Sequence, residues 1–417
     1  MIRLSKIDKN LFGTIKLPAS KSISNRLLIL QYAYGHSFTI SNLSTADDTL
    51  LMSTMLDLVR QYQVRGDTGL LRLDTRNAGS VMRFMLPLLS VTRGHYLLTG
   101  NERMKKRPIG ALVEAMRETG AEIDYLEDIG FPPLIIRGRA ISASRIGIDT
   151  SVSSQFVTAL LLLAPTMPDG LTIELTGSRA SWPYVKMTTR LLNSLGVQVI
   201  TQENSIRVFN KKALKSDIEV EPDWSSAAFW YSMVSMAENG EIFFPALKKS
   251  GIQGDQELAS FFSQLGVTTT EKSQGILIRK EGRFNDNFMA DFAGYPDIAL
   301  PVIVSCGVAG IPGTFTGLDN LRIKESDRLE ALSLALRMTG IAFREESPGT
   351  WKLSGRMVDP CRLHMDDFDD HRVAMTLAGL AIKGFTIQLE HPETVNKSFP
   401  GFWKELESAG FKCDISC

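Results

Sequence analysis

Long apolar runs are missing from this sequence: no stretch approaches the roughly 18 residues that a membrane-crossing helix needs, and the start Met1-Ile-Arg-Leu-Ser-Lys6 alternates like a strand rather than a signal-peptide core. A cytoplasmic protein without membrane attachment is therefore expected. Cysteine is scarce, with four residues (Cys306, Cys361, Cys413 and Cys417) scattered without paired spacing, which excludes a disulfide scaffold and a Cys-based zinc site and predicts reduced thiols. The five histidines show no metal-ligand spacing. An excess of either charge is also absent: Lys plus Arg and Asp plus Glu number 46 each, so no basic surface for nucleic acid or anionic lipid is expected. Nor is there a Walker loop, a GxGxxG, a GxSxG or a paired CxxC, which argues against an NTPase, a dinucleotide enzyme, a serine hydrolase and a zinc protein.

What the chain does have is repetition. Every 60 to 75 residues or so, a small or polar start leads into an apolar helical run, a glycine and a short alternating strand. The helical runs begin near Ser22, Gly79, Ser154, Trp224, Asp297 and His371; strands follow Gly35, Gly94, Gly170, Gly240, Gly313 and Gly384. Second helices come next, and closing strands are expected at Gln63-Val64 and after Gly120, Gly196, Gly266, Gly340 and Gly410. Hairpin partners are expected at 70–73, 134–136, 206–209, 276–278 and 351–353.

The unit is βαβαββ, and 417 residues hold six of them. One such unit cannot close its own core, so two groups of three are expected. The charged, Pro-containing stretch from Lys211 to Pro222 is the natural boundary, and the strand Ile2 to Lys6 is free to pair with the closing strands of the C-terminal half. The expected division is 18–220 against 1–17 plus 221–417.

Equivalent repeats place their helix starts at corresponding positions, and those starts carry chemistry. In Leu17-Pro-Ala-Ser-Lys-Ser-Ile-Ser-Asn-Arg26, hydroxyl, ammonium and guanidinium donors precede the apolar run from Leu27, which reads as a Ser-capped helix with a solvated polar face or as an anion site at a helix N-terminus. Asn77-Ala-Gly-Ser80 reads as a loop for close backbone approach or as a helix cap, and Ser153-Ser154-Gln155 as hydroxyl and amide donors or as capping serines. Arg103 and Arg107 with the lysines between them form a charge run. Lys324-Glu325-Ser-Asp-Arg328 places Lys324 and Arg328 on one helical face, and Asp369-Asp370-His371-Arg372 opens an apolar helix with Asp as the simplest cap. Many such starts facing one cleft would give a neutral chain a strongly positive site, suited to a ligand with several negative charges.

In order and spacing, LPASKSISNR, NAGSVMR, RMKKRPIGAL, SVSSQF, SWPY, YPD, NLRIKESDRL, DDHRVAM and NKSFPGF resemble the 5-enolpyruvylshikimate-3-phosphate synthases among the enolpyruvyl transferases. The resemblance spans nearly the whole chain. It implies an α/β, two-domain fold with three βαβαββ units per domain (an inside-out α/β barrel), a double-crossover hinge, and an active site in the interdomain cleft that closes over its ligands. It implies transfer of the enolpyruvyl group of phosphoenolpyruvate to the 5-hydroxyl of shikimate 3-phosphate, in the shikimate pathway to chorismate and the aromatic amino acids. The substrates are small molecules, and no cofactor, metal, nucleic-acid or membrane partner is expected; the protein is expected to be a monomer.

Position by position, the resemblance assigns Lys21, Ser22, Arg26, Ser153, Ser154, Gln155, Ser181, Asp297, Asn320 and Lys324 to shikimate 3-phosphate. It assigns Lys21, Asn77, Gly79, Arg103, Gln155, Arg328, Arg372 and Lys397 to phosphoenolpyruvate. Asp297, Glu325 and Lys21 take the catalytic positions, with Glu325 and Asp297 as acid/base groups. The chain departs from the family pattern at Ala19, Ser80 and Phe84; the last two flank the phosphoenolpyruvate loop and leave sensitivity to an analogue such as glyphosate open. The related UDP-N-acetylglucosamine enolpyruvyl transferases typically carry a cysteine in the donor loop, and Asn101 to Arg107 has none. A non-catalytic binding module on the same scaffold is disfavoured by the intact Lys21, Glu325, Arg372 and Lys397.

Overall fold

The most completely buried elements of this chain are helices. In a computed structural model describing residues 1–211 and 217–415, every residue of the helix Trp224–Met236 is buried, as are nine of the ten in both Ala299–Val308 and Ser154–Leu163. Helices apolar all round must be enclosed, and here the sheets enclose them. Strands such as Leu171–Thr176 and Gly240–Pro245 alternate buried and less buried residues, one face inward and one toward water. Cys417 and residues 212–216 of the expected boundary stretch lie outside the described residues.

The chain divides into two compact units, one formed by Met1–Ser20 with Glu221–Cys417 and the other by Lys21–Val220. The discontinuous unit holds three four-stranded sheets, each built on one plan: a leading strand, a parallel neighbour reached through a buried helix, and an antiparallel pair that completes the sheet. In one sheet the leading strand is Leu11–Thr14, which runs parallel to Gly240–Pro245 although the whole second unit separates them in sequence. In another, Ile2–Ser5 lies between Thr386–Leu389 and Lys412–Ile415, pairing Ile2 with both Leu389 and Ile415. Its two inward residues, Ile2 and Leu4, are fully buried. Around the central helix an aromatic cluster joins Phe229 and Trp230 to Phe402, ring centroids 6.2 Å apart in both pairs, with Phe402 also 5.5 Å from Phe399. The chain leaves this unit through Pro18–Ser20 and returns through Glu221–Asp223, the two passages joined by backbone hydrogen bonds from Ser20 N to Glu221 O and Asp223 N to Pro18 O, both 2.9 Å.

The continuous unit contains two complete copies of the same plan, with strand orders Leu70–Asp74, Gly94–Thr99, Leu134–Gly138, Glu122–Tyr125 and Arg145–Asp149, Leu171–Thr176, Ser205–Val208, Val199–Thr201. In its third copy Ile40–Ser41 pairs in parallel with Ile218–Glu219, and among the described residues this sheet has two strands. Two expectations are corrected here. Gln63-Val64 forms no strand but belongs to the 19-residue helix Asp47–Arg65, which runs on to a left-handed cap at Gly66. Residues 70–73 are not the hairpin of the first repeat; they lead the next one, parallel to Gly94–Thr99. The repeat therefore begins one strand earlier than its helix-first reading suggested, because a leading strand and a hairpin strand carry the same alternating pattern. No described helix is long and apolar enough to cross a membrane.

Two strand glycines distinguish close approach from mere tolerance. A Cβ at Gly138 would lie 1.8 Å from the carbonyl oxygen of Thr92 and 2.3 Å from that of Leu89, whereas one at Gly147 meets nothing within 4 Å. Gly138→Ala is expected to destabilise the protein by about 3 kcal/mol, because backbone must move, and Gly147→Ala by less than about 0.5 kcal/mol. Chemical denaturation of the two variants measures the difference; equal midpoints would contradict the close packing at Gly138.

Candidate active site

In the continuous unit the candidate residues gather at helix starts. Lys21 is the first residue of the helix Lys21–Ala33, and its ammonium lies 3.0 Å from Asp48 Oδ2 in the first turn of Asp47–Arg65. One turn on, Arg26 is almost wholly buried. Its guanidinium donates to Thr188 Oγ1 at 2.8 Å, to the carbonyls of Ser22 at 2.7 Å and Tyr184 at 3.2 Å, and to Thr158 Oγ1 at 3.5 Å, while Phe84 presents its ring 5.5 Å away. These acceptors are neutral, so burial pushes the Arg26 pKa down to about 10; the group is charged at neutral pH with no anion among these contacts. Arg26 thus joins helices from all three repeats of the unit.

Ser22 gives Arg26 its carbonyl and is itself half-buried. Ser153 accepts from Gln155 N at 3.2 Å and caps Ser154–Leu163, with Ser154 buried in its first position and Gln155 half-buried beside it. Ser181 stands before Trp182–Ser194 in a left-handed conformation (φ 54°), a strained backbone for a non-glycine residue, and its side chain makes no capping bond.

The Asn77–Gly79 loop leads into Gly79–Val91 and is tied to the first repeat by Asn25 Nδ2, which donates to Ser80 Oγ at 2.9 Å. Arg103 lies half-buried in the short helix Glu102–Lys105, capped by Asn101. Arg107, by contrast, is buried and turns back on the loop, its Nη1 3.3 Å from Asn77 O and 3.5 Å from Asn77 Oδ1. The stretch 103–107 is therefore not a uniformly solvated charge run.

In the discontinuous unit one guanidinium organises the site. Arg328, 1% exposed, opens the helix Arg328–Met338 and contacts three carboxylates. Nε is 2.8 Å from Asp370 Oδ2, Nη2 is 2.9 Å from Glu325 Oε2 and 3.3 Å from Asp370 Oδ1, and Nη1 is 3.4 Å from Asp297 Oδ1. Burial disfavours its charge, but Asp370, Glu325 and Asp297 override that and raise its pKa. Arg372 holds the other side of Asp297, with Nη2 2.8 Å from Oδ2 and Nη1 2.9 Å from the carbonyl oxygen. Lys397 Nζ stands 3.9 Å from Glu325 Oε1. Asp370 also caps His371–Ala378 by accepting from Arg372 N at 2.9 Å, so its two oxygens serve the helix start and Arg328 together.

Lys324 and Arg328 do not share a helical face. Lys324 ends the 3₁₀ turn Asp319–Ile323 in an extended conformation, Asp327 caps the next helix, and the intervening residues bend so that Glu325 meets Arg328. Asn320 lies within that 3₁₀ turn, half-buried, as is Lys324. The candidates are thus brought together in two sets, Lys21 to Ser181 in one unit and Asp297 to Lys397 in the other.

Four residues outside the candidate set shape these sites: Asp48, Arg107, Asp370 and Asp255. Asp255, 3% exposed, accepts a short hydrogen bond from Ser225 Oγ. Burial, and then the charge of Asp297, push its pKa up to about 7, with Ser225 and Arg372 opposing. An Asp after Gly254 reads in sequence as a turn residue, and nothing local marks it as buried. One trio of possible metal ligands occurs among the described residues: Asp366, Asp367 and His391 lie within 4.8 Å of one another. His391 Nδ1 is already hydrogen-bonded to Asp367 Oδ1 at 2.9 Å, which accounts for the proximity of those two.

The sequence pattern of the family described as EPSP synthase (3-phosphoshikimate 1-carboxyvinyltransferase) matches residues 5–406. The chain is 38% identical over 402 residues to the 3-phosphoshikimate 1-carboxyvinyltransferase of Bacteroides fragilis strain YCH46, covering 96% of this chain and 95% of that protein. To the protein of the same name from Sulfurovum sp. strain NBC37-1 it is 34% identical over 420 residues, covering 95% and 96%. In fold it is similar to an EPSP synthase structure from Acinetobacter baumannii, with a TM-score of 0.76 at 22% identity over the whole of both chains.

Asp255 makes stability depend on pH. Below about pH 4 the folded and unfolded chains both carry its proton and it costs nothing; between there and about 7 the unfolded chain ionises first, so stability falls as pH rises. Above that the full cost is present. Asp255→Asn is expected to gain stability over the unaltered protein progressively from about pH 4 to about pH 7 and no further. Urea midpoints of both proteins across this range check it, and parallel curves would contradict it.

Proposed function

Because the chain belongs to the EPSP synthase (3-phosphoshikimate 1-carboxyvinyltransferase) family, we propose that it transfers the enolpyruvyl group of phosphoenolpyruvate to the 5-hydroxyl of shikimate 3-phosphate and releases phosphate. This is the enolpyruvyl step of aromatic amino acid biosynthesis. The reading includes a monomer at work in the cytoplasm, with Lys21, Ser22, Arg26, Ser153, Ser154, Gln155, Ser181, Asp297, Asn320 and Lys324 serving the acceptor. Asn77, Gly79, Arg103, Gln155, Arg328, Arg372 and Lys397 serve the donor, to which Lys21 also reaches.

The observation that carries the reading is the meeting of Asp297 and Glu325 on the one guanidinium of Arg328, with Arg372 and Lys397 beside them. Two acid/base groups and three cations within one cluster match a reaction that moves two protons around a substrate bearing both a carboxylate and a phosphate. In the addition step Asp297 takes the proton of the 5-hydroxyl as its oxygen bonds to C2 of phosphoenolpyruvate, and Glu325 gives a proton to the methylene carbon, C3. In the elimination the C2–O bond to phosphate breaks, phosphate leaves with the electron pair and the proton that Asp297 took, and Glu325 recovers its own proton from the new methyl group. The arginines and lysines orient the donor through paired N–H groups and stabilise the charge that grows on the departing phosphate.

Phosphate release is expected with phosphoenolpyruvate and shikimate 3-phosphate together, and none with phosphoenolpyruvate and UDP-N-acetylglucosamine; release with the UDP-sugar alone would overturn the acceptor assignment. Glu325→Gln is expected to lower kcat by about 10²- to 10⁴-fold, the span of general acid–base catalysis, while shikimate 3-phosphate affinity changes little. Equal losses in turnover and acceptor binding would remove Glu325 from the proton path.

A further inference from the structure

Asp367 stands three residues before Asp370, is fully buried, and belongs to neither substrate's set. A carboxylate taken out of water must be met by donors, and two of them come from one distant residue. His391 N donates to Oδ2 at 2.9 Å, and His391 Nδ1 lies 2.9 Å from Oδ1; an ionised carboxylate can only accept, which puts a hydrogen on Nδ1. Oδ1 also accepts from Asp369 N at 3.1 Å, and the Asp367 carbonyl accepts from Asp370 N at 3.0 Å. The two segments joined in this way both carry site residues. On one side Phe368 and Asp369 take left-handed backbones, φ 54° and 53°, which non-glycine residues do not hold by preference. This bend delivers Asp370 to Arg328 Nε and Arg372 N. On the other side His391 opens the 3₁₀ turn Pro392–Lys397: its carbonyl accepts from Thr394 N at 3.1 Å and Thr394 Oγ1 at 2.8 Å, and the Pro392 carbonyl accepts from Trp403 Nε1 at 2.7 Å. Thr394 and Val395 are buried, and the turn ends at Lys397, 3.9 Å from Glu325 Oε1. Asp369 lies in the field of both sides: burial pushes its pKa up, with His391 and Lys397 opposing and Asp367 and Glu393 adding to the shift.

We propose that Asp367 and His391 are positioning residues of the site: their double hydrogen bond clasps the bend that presents Asp370 to the turn that presents Lys397, and so fixes the lysine against Glu325. The inference rests on the functional reading above, in which Lys397 serves the donor and Glu325 moves the proton. A six-residue turn held by its own hydrogen bonds moves as one piece, so play at His391 reappears at Lys397. Neither member of the clasp touches a ligand. The ring contributes a donor at Nδ1 rather than a charge, and a neutral imidazole in that tautomer supplies it. The bond from His391 N does not depend on the side chain, so replacing the ring loosens the clasp without opening it fully.

The test compares His391→Leu with His391→Asn. Leucine and asparagine share one branched shape, and only asparagine carries an N–H donor two bonds from Cβ, where Nδ1 sits. His391→Leu is expected to lower kcat/KM for phosphoenolpyruvate about tenfold, less than the roughly 10²-fold that a 1 Å misplacement can cost. Its shikimate 3-phosphate affinity is expected to stay within about twofold, and His391→Asn to stay within about threefold of the unaltered protein in both measurements. The inference fails if His391→Leu leaves kcat/KM for phosphoenolpyruvate unchanged, whatever it does to the thermal midpoint. It fails equally if that variant weakens both substrates alike, the mark of a general structural loss, or if His391→Asn is as poor as His391→Leu, which would make the bulk of the ring the cause. The His391 side chain is 44% exposed, so both variants are expected to fold. Should the leucine variant not fold, His391→Ala, which admits water to the Asp367 carboxylate, takes its place under the same criteria. Absence of phosphate release from the unaltered protein with both substrates defeats the functional reading, whereas release combined with indistinguishable variants defeats the clasp alone.

Discussion

Arg328 and its three carboxylates set the terms for the discontinuous unit. A guanidinium removed from water costs several kcal/mol, roughly, unless charge and hydrogen bonds replace the solvent, and here the replacements come from three separate places in the chain: Asp297 ahead of one buried helix, Glu325 in a bent connection, and Asp370 at the cap of another. The burial of one residue therefore obliges three segments to meet at one point. The apolar helices behind them, Ala299–Val308 and His371–Ala378, supply the burial that makes the obligation strict. The active-site geometry proposed for this protein is in that sense a by-product of satisfying a charge. Two of the carboxylates that neutralise Arg328, Asp297 and Glu325, are those to which the proposed function gives proton transfer.

The continuous unit handles the same problem differently. Arg26 is buried as deeply but satisfied by hydroxyls and carbonyls, which leaves its charge in place and depresses its pKa instead of raising it. Lys21 is paired with Asp48, a carboxylate supplied by the first turn of the neighbouring helix. A chain with no net charge can thus hold one cluster rich in compensated charges and another where a cation sits among neutral acceptors. Net charge cannot reveal this, because both arrangements sum to nothing unusual over 417 residues.

The sequence made the repeat visible wherever a helix had to begin: starts expected near Ser22, Gly79, Ser154, Trp224 and His371 lie within a residue of those observed, since polar starts before long apolar runs leave little choice of register. It was silent where tertiary context decides. Gln63-Val64 reads as a strand, but five turns of helix carry it into Asp47–Arg65; residues 70–73 have the alternation of a strand but no mark saying which neighbour it joins. Lys324 and Arg328 are spaced for one helical face, but the cap at Asp327 starts the helix too late for that. Asp48 and Asp255 were missed, and Arg107 was read only within a charge run, because partners far away in sequence, or a buried turn, give them their importance, and no local pattern encodes either.

In the sequence each polar helix start offered two competing accounts, a cap or a ligand group, and the structure shows the capping bond at several of them. Asp370 caps its helix with one oxygen and still binds Arg328; Ser153 caps with its hydroxyl while Ser154, just inside, is buried in position. A cap is the place where a short polar side chain is held by a backbone it cannot leave, and where orphan N–H groups and the helix dipole already favour an anion. Such a side chain reaches the site with little rotamer freedom left to lose. Ser181 is the informative exception: it occupies a cap position, declines the capping bond, and takes a strained left-handed backbone instead. A strained backbone of this kind is held by its surroundings rather than by the residue's own preference.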